Sequence, residues 1–275
     1  MLYCSGMPQI DVISRYDAFL LDVDGVLIRG SRVLDGSPNA LASLRRQGRV
    51  LLLTNNSSRT RANLAERLTD LGISISSEDV LPTSRIAALY LRQEAGTVQF
   101  WPLGEEGLVA ELEMEGHRLA PSPADADWVV AGIDRQMTYG SLSNALDALR
   151  NGAKLLATNT DPTFPVPGGV RPGAGALVGA LRGMGFEPHA EVGKPSAYAY
   201  RVALEILGVP AERALMVGDR LETDIEGGRR AGLDTALLLT GVSDRAIAAQ
   251  SPIQPTWIAE SLAALVLGDA EAITT

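Results

Sequence analysis

A chain of 275 residues, 46% hydrophobic and 21% charged, can bury one large α/β domain or two smaller ones, which excludes disordered and fibrous classes. A net charge of −9 opposes nucleic-acid binding, and no apolar run reaches the ~18 residues of a membrane span, so a soluble, unexported, cytoplasmic protein is expected. One cysteine, Cys4, and two histidines, His117 and His189, allow neither an internal disulfide nor a structural zinc site, so a metal here must be hard and oxygen-bound.

The first apolar run, 18–23, reads as a strand that ends on Asp22, Asp24 and Gly25. Ser37 and Pro38 open a helix as N-cap and first helical residue, Leu41 and Leu44 share its face, and Gly48 stops it. A second strand, 50–53, exits into Thr54, Asn55 and Asn56. The helix that follows from Thr60 carries Leu64, Ala65, Leu68 and Leu71 on one stripe and ends at Gly72. Short apolar runs alternating with helical periods are the pattern of a parallel sheet with crossover helices.

Residues 84–176 read as an inserted α/β domain, with strands at 98–101, 128–131 and 154–157 and a helix around Leu142, Leu146 and Leu149. Pro82 precedes it, and Pro165, Pro167, Gly168, Gly169, Pro172 and Gly173 crowd its end, as where a chain crosses between domains. Gly173, Gly175 and Gly179 imitate a dinucleotide fingerprint, but no strand precedes them, so helix packing is the expected role. The earlier pattern then resumes with a helix from Ser196 to Gly208, a strand at 214–217 closed by Gly218 and Asp219, a short helix at 223–231 and a strand at 235–239. Residues 1–83 and 177–275 are thus expected to form one doubly wound core, and the tail after Leu267 to fray. Trp101, Trp128 and Trp257 read as core, and His117 and His189 as surface or satisfied residues.

The polar clusters follow strands, and open parallel sheets bind ligands at those carboxyl ends. Asp22 and Asp24, two residues apart, can face one site with separate duties, one attacking and the other handling protons. A carboxylate approaching a phosphate meets a repulsion of about 4 kcal/mol per charge pair at ~4 Å and an effective dielectric of ~20, so counter-charge is obligatory. A divalent hard cation such as Mg²⁺ would supply it, with Asp219 and Asp224 as further holders. Lys194 would supply the rest: of 24 basic residues only Lys154 and Lys194 are Lys, and a compact ammonium suits a place where a wide guanidinium would not fit. Thr54, Asn55 and Asn56 offer a hydroxyl, side-chain amides and backbone N–H groups to phosphate oxygens.

In this order, Asp22-Val23-Asp24-Gly25, Thr54-Asn55-Asn56, Gly193-Lys194-Pro195 and the stretch 218–224 resemble the four motifs of the haloacid dehalogenase-like superfamily of phosphatases. The insert resembles the C2-type cap of its NagD-like subgroup (class IIA), to which Ala157-Thr158-Asn159-Thr160-Asp161 and Pro172-Gly173-Ala174-Gly175 are similar. The resemblance implies a Rossmann-like, doubly wound parallel sheet core with an inserted α/β cap. It implies an Mg²⁺-dependent phosphatase for small phosphorylated metabolites, such as sugar phosphates, nucleoside monophosphates, glycerol phosphate, phosphoglycolate or pyridoxal phosphate. Under it Asp22 is the nucleophile and a metal ligand, while Asp24 moves the protons and lends the metal its backbone carbonyl. Thr54 and Asn55 hold the phosphoryl group, Lys194 stabilises charge, Asp219 ligates Mg²⁺, and Asp224 acts through water or by orienting Lys194. A homodimer through the cap is also implied, with substrate choice on the cap and Asn159, Asp161 and the loop 165–170 as candidate contacts. A metal-independent haloacid dehalogenase and a non-catalytic phosphate-binding protein are the rival readings.

Overall fold

The computed structural model describes residues 11–166 and 168–273, and Cys4 and Pro167 lie outside them. The chain divides into two compact units: Met1–Leu53, Leu71–Ile73 and Ala203–Thr275 form the first, Thr54–Asp70 and Ser74–Val202 the second. The second takes in the insert expected at 84–176 and extends past it on both sides.

Across the first unit the strands run Ala270–Ala272, Trp257–Ala259, Asp234–Leu238, Ala214–Gly218, Ala18–Leu21 and Arg49–Thr54. Neighbours are parallel except for the antiparallel pair Trp257–Ala259 and Ala270–Ala272. All four residues of Ala18–Leu21 are buried, as a continuous apolar run requires when both faces of a parallel sheet are covered. From this strand the sheet grows one way to Arg49–Thr54 and the other way through Ala214–Gly218, so the order reverses between Ala18–Leu21 and Ala214–Gly218. Leu21 stands opposite Val217, and Asp22 N–H donates to Val217 O at 2.9 Å. The acids that follow these two strands therefore leave the sheet side by side at its switch point.

Three local expectations are corrected. The helix Ser37–Gln47 is capped by Gly36 at φ +76°, not by Ser37, whose hydroxyl turns inward to donate to Leu27 O at 2.9 Å. In place of one short helix at 223–231, Leu221–Ile225 forms a π-helical turn before the helix Glu226–Arg230. That wide turn lets Arg220 O accept from both Asp224 N and Ile225 N, at 3.1 and 3.2 Å. Within the described residues, which end at Ile273, the tail after Leu267 is held: Ala270–Ala272 satisfies the edge of Trp257–Ala259, and Arg245 clips the pair by bridging Glu260 and Glu271.

Tyr16 ties the start of the described chain to that edge. Its hydroxyl donates to Asp234 Oδ2 at 2.6 Å and accepts from Trp257 Nε1 at 2.9 Å, and burial followed by the Asp234 contact pushes its ionisation far above the usual phenol range. Tyr16→Phe strands the buried indole N–H, so urea unfolding is expected to report a loss of roughly 1–3 kcal/mol. An unchanged unfolding midpoint would mean that water replaces the hydroxyl.

In the second unit the parallel strands run Ala190–Glu191, Lys154–Ala157, Trp128–Ala131, Gln99–Leu103 and Arg118–Leu119. Val129, Ala131 and Leu155 pack with Ala145 and Leu149 of the helix Tyr139–Arg150 and with Leu177 and Leu181 of the helix Ala174–Gly183. Trp128 and Trp257 are buried and Trp101 partly so. His117 is buried with Nε2 2.9 Å from Ala88 O, whereas exposed His189 sets its ring edge against Trp128. Added Cβ atoms at Gly173 and Gly175 would each stand 2.2 Å from a carbonyl oxygen, of Asp161 and Thr160 respectively, so these glycines serve close packing. No helix among the described residues is long and apolar enough to cross a membrane.

Candidate active site

Asp22, Asp219 and Asp224 are buried, and each offers a carboxylate oxygen within 4.8 Å of the others. Asp22 follows Ala18–Leu21, Asp219 follows Ala214–Gly218, and Asp224 comes from the π-helical turn. At that spacing each ionised pair repels by about 3–4 kcal/mol at an effective dielectric of ~20, so the trio calls for a cation. Three hard oxygen donors without sulfur or nitrogen fit Mg²⁺, which takes few protein carboxylates and fills the rest of its octahedron with water and substrate oxygens. Asp24 is exposed and its carboxylate lies outside the trio; the metal contact expected of it is its backbone carbonyl.

The backbone closes on these acids where only glycine fits. A Cβ on Gly25, at φ +88°, would stand 2.3 Å from Asp219 Oδ2; one on Gly241 would stand 1.8 Å from the same atom; one on Gly218 would stand 2.2 Å from Asp224 Cβ. Hydrogen bonds then fix the carboxylates, with Val242 N donating to Asp219 Oδ2 at 2.8 Å and Arg220 N to Asp224 Oδ2 at 3.1 Å. Thr240 Oγ1 donates to Gly25 O at 2.5 Å, and Ser243 N donates to Asp219 O at 3.0 Å. Sequence reasoning missed the segment 240–243, although it follows the strand Asp234–Leu238 and falls under the same strand-exit rule.

Thr54, Asn55, Asn56 and Lys194 fall in the second unit. Thr54 is buried, and its Oγ1 accepts from Asn56 N at 3.3 Å; Asn56 Oδ1 in turn accepts from Ser58 N at 2.9 Å, a side-chain-stabilised turn. Asn55 brings a residue 139 positions away to this loop: its Oδ1 accepts from Lys194 N at 2.8 Å, and its Nδ2 donates to Lys194 O at 3.0 Å. Nδ2 also donates to Asp161 Oδ2 at 3.0 Å. With both amide hydrogens committed, what Asn55 offers an anion is its backbone N–H rather than its side chain. Lys194 is buried, and a Cβ on Gly193 would stand 2.4 Å from Thr158 O and 2.7 Å from Asn55 Oδ1.

The same loop is gripped further along. The helix Arg61–Asp70 begins with Arg61 N donating to Glu111 Oε1 at 2.7 Å, and Glu111 is fully buried with Arg61 Nε 3.3 Å from its other oxygen. Gly107 lies so close that a Cβ would stand 2.4 Å from Arg59 Cα, while Ser84 Oγ donates to Arg59 O at 3.2 Å. Glu111 was also missed from sequence, although an acid between Leu108 and Leu112 on one helix stripe was a visible signal of a buried polar partner.

The family described as haloacid dehalogenase-like hydrolase matches residues 19–118, and the HAD-hydrolase-like family matches residues 191–265. The chain is 35% identical to the 5'-nucleotidase YutF of Bacillus subtilis over 91% of its own length and 97% of that protein. It is 39% identical to human chronophin over 96% of both chains. Among solved structures, the glycerol phosphate phosphatase of Mycobacterium tuberculosis in complex with magnesium superposes with a TM-score of 0.86 at 34% identity, covering 93% of this chain and 78% of that one.

Proposed function

Because the chain belongs to the haloacid dehalogenase-like hydrolases, in the NagD-like group of phosphatases, we propose that it hydrolyses small phosphate monoesters with Asp22 as the nucleophile. The observation that carries this reading is the buried trio Asp22, Asp219 and Asp224 at the switch point of the sheet. Bound by that trio, Mg²⁺ would neutralise the carboxylates and draw charge from the phosphoryl oxygens. Asp22 attacks phosphorus as the ester P–O bond breaks, and the Asp24 carboxyl gives its proton to the leaving alkoxide. Asp24, now ionised, takes a proton from water as the water oxygen bonds to phosphorus; the acyl phosphate P–O bond breaks, phosphate leaves and the Asp22 carboxylate returns. Thr54, the Asn55 backbone N–H and Lys194 hold the phosphoryl oxygens through both steps. Asn56 shapes the turn that presents them.

A sugar phosphate, a nucleoside monophosphate, glycerol phosphate, phosphoglycolate and pyridoxal phosphate form the panel that tests this function. Purified protein with Mg²⁺ is expected to release phosphate from at least one of them and to stop on chelation. Metal-free turnover of a haloacid without phosphate release would replace the reading with a dehalogenase. Silence across the panel would favour a phosphate-binding protein. The insert, 84–176, serves as the cap in this proposal, and the protein acts in the cytoplasm as a homodimer joined through that cap, a state that sedimentation would read directly.

A further inference from the structure

Asn159 and Asp161 sit in the segment that leaves the strand Lys154–Ala157, and sequence reasoning made them candidate substrate contacts. Their side chains instead hold Asn55. Asn159 Nδ2 donates to Asn55 O at 2.9 Å, the same carbonyl that Thr83 Oγ1 reaches at 3.0 Å. Asn159 Oδ1 accepts from Asp161 N at 3.1 Å, which aims the Asp161 carboxylate at Asn55 Nδ2, 3.0 Å away. The segment is itself anchored, because Gly175 N, at the start of the helix Ala174–Gly183, donates to Asp161 O at 2.9 Å.

Asn55 is therefore fixed at its carbonyl and at its side chain, and that side chain clasps both backbone polar groups of Lys194. We infer that Asn159 is a positioning residue for phosphoryl transfer: acting through Asn55, it sets the backbone of the phosphate loop and of Lys194 rather than selecting the substrate. Its burial, 5% exposed, and the use of both ends of its amide suit a strut better than a recognition surface. The inference rests on the phosphatase reading above.

The informative variant is Asn159→Asp, which keeps the shape and the acceptor for Asp161 N but sets a carboxylate oxygen against the Asn55 carbonyl. A loosened phosphate site is expected to lower kcat about tenfold, within the range that sub-ångström misplacement produces. The factor should be shared by a sugar phosphate, a nucleoside monophosphate and p-nitrophenyl phosphate. The inhibition constant of inorganic phosphate should rise by a similar factor, while the Mg²⁺ midpoint stays put. A smaller folded fraction would lower kcat but leave that inhibition constant alone. Thr83→Val removes the companion donor and should move kcat and phosphate inhibition the same way, with Thr83→Ser restoring both; this pair decides the matter if Asn159→Asp does not fold. Losses that differ among the three esters would make Asn159 a specificity contact, and wild-type phosphate inhibition in both Asn159→Asp and Thr83→Val would overturn the inference. Failure of the unaltered protein to release phosphate would overturn the phosphatase reading instead.

Discussion

Asp22→Asn is expected to abolish phosphate release, with kcat falling by at least about 10⁴, the scale on which removal of a covalent nucleophile acts. Asn has nearly the shape of Asp, so the register of Ala18–Leu21 against Ala214–Gly218 and the 2.9 Å bond from residue 22 N–H to Val217 O should survive. What disappears is the oxyanion able to bond to phosphorus. The charge change has a second consequence: one negative charge leaves the neighbourhood of the incoming phosphate, removing a repulsion of about 4 kcal/mol at ~4 Å and an effective dielectric of ~20. The variant should thus bind inorganic phosphate at least as tightly as the parent while turning nothing over. Acid-quenched parent enzyme should carry a phosphoryl group on the peptide containing Asp22, and the variant should carry none. Retained turnover, or a label on another residue, would remove Asp22 from the mechanism.

Much of this arrangement was legible because strand exits are local in sequence. The run 18–23 ending on Asp22 and Asp24, and the run 214–217 followed by Gly218 and Asp219, announce both a strand and its functional end without knowledge of the fold. Parallel pairing of those two strands then brings Asp22 and Asp219 together, a long-range step that the strand-exit rule anticipates in kind. The side-chain chemistry of Asn55 was not legible. Sequence assigns an amide donors and acceptors but does not say who consumes them, and here Lys194, 139 residues later, takes one bond at each end. The partner of Asn159 was hidden for the same reason, because it is a backbone carbonyl 104 positions earlier. The π-helical turn at Leu221–Ile225 was hidden too, since apolar periodicity cannot distinguish a wide turn from the start of a helix over five residues. The strand Ala270–Ala272 was lost because two alanines flanking an acid carry too little pattern to outweigh the expectation that chain ends fray.

Gly241→Ala should act on the metal site without changing any carboxylate. The new methyl group would stand 1.8 Å from Asp219 Oδ2 and 2.3 Å from Asp219 Cβ, too close for a short side chain to relieve by rotating. Either Asp219 swings away, or the segment 240–243 recedes and takes with it the 2.8 Å bond from Val242 N to Asp219 Oδ2. Both escapes disturb a ligand whose orientation the surrounding backbone fixes, and loss of such support lowers metal affinity by about 10–100-fold. Thermal unfolding measured against Mg²⁺ concentration reads this directly, because a ligand that binds only the folded state stabilises it by about 2.7 kcal/mol at a hundredfold excess over its dissociation constant. The variant's stabilisation curve and its Mg²⁺ activation midpoint should shift together to higher concentration. Gly179→Ala, on the helix Ala174–Gly183 where an added Cβ meets nothing within 4 Å, should leave both where they were. If Gly241→Ala kept the parent's midpoint, the segment 240–243 would be yielding freely, and the geometry of Asp219 would have to be set from the Gly25 side alone.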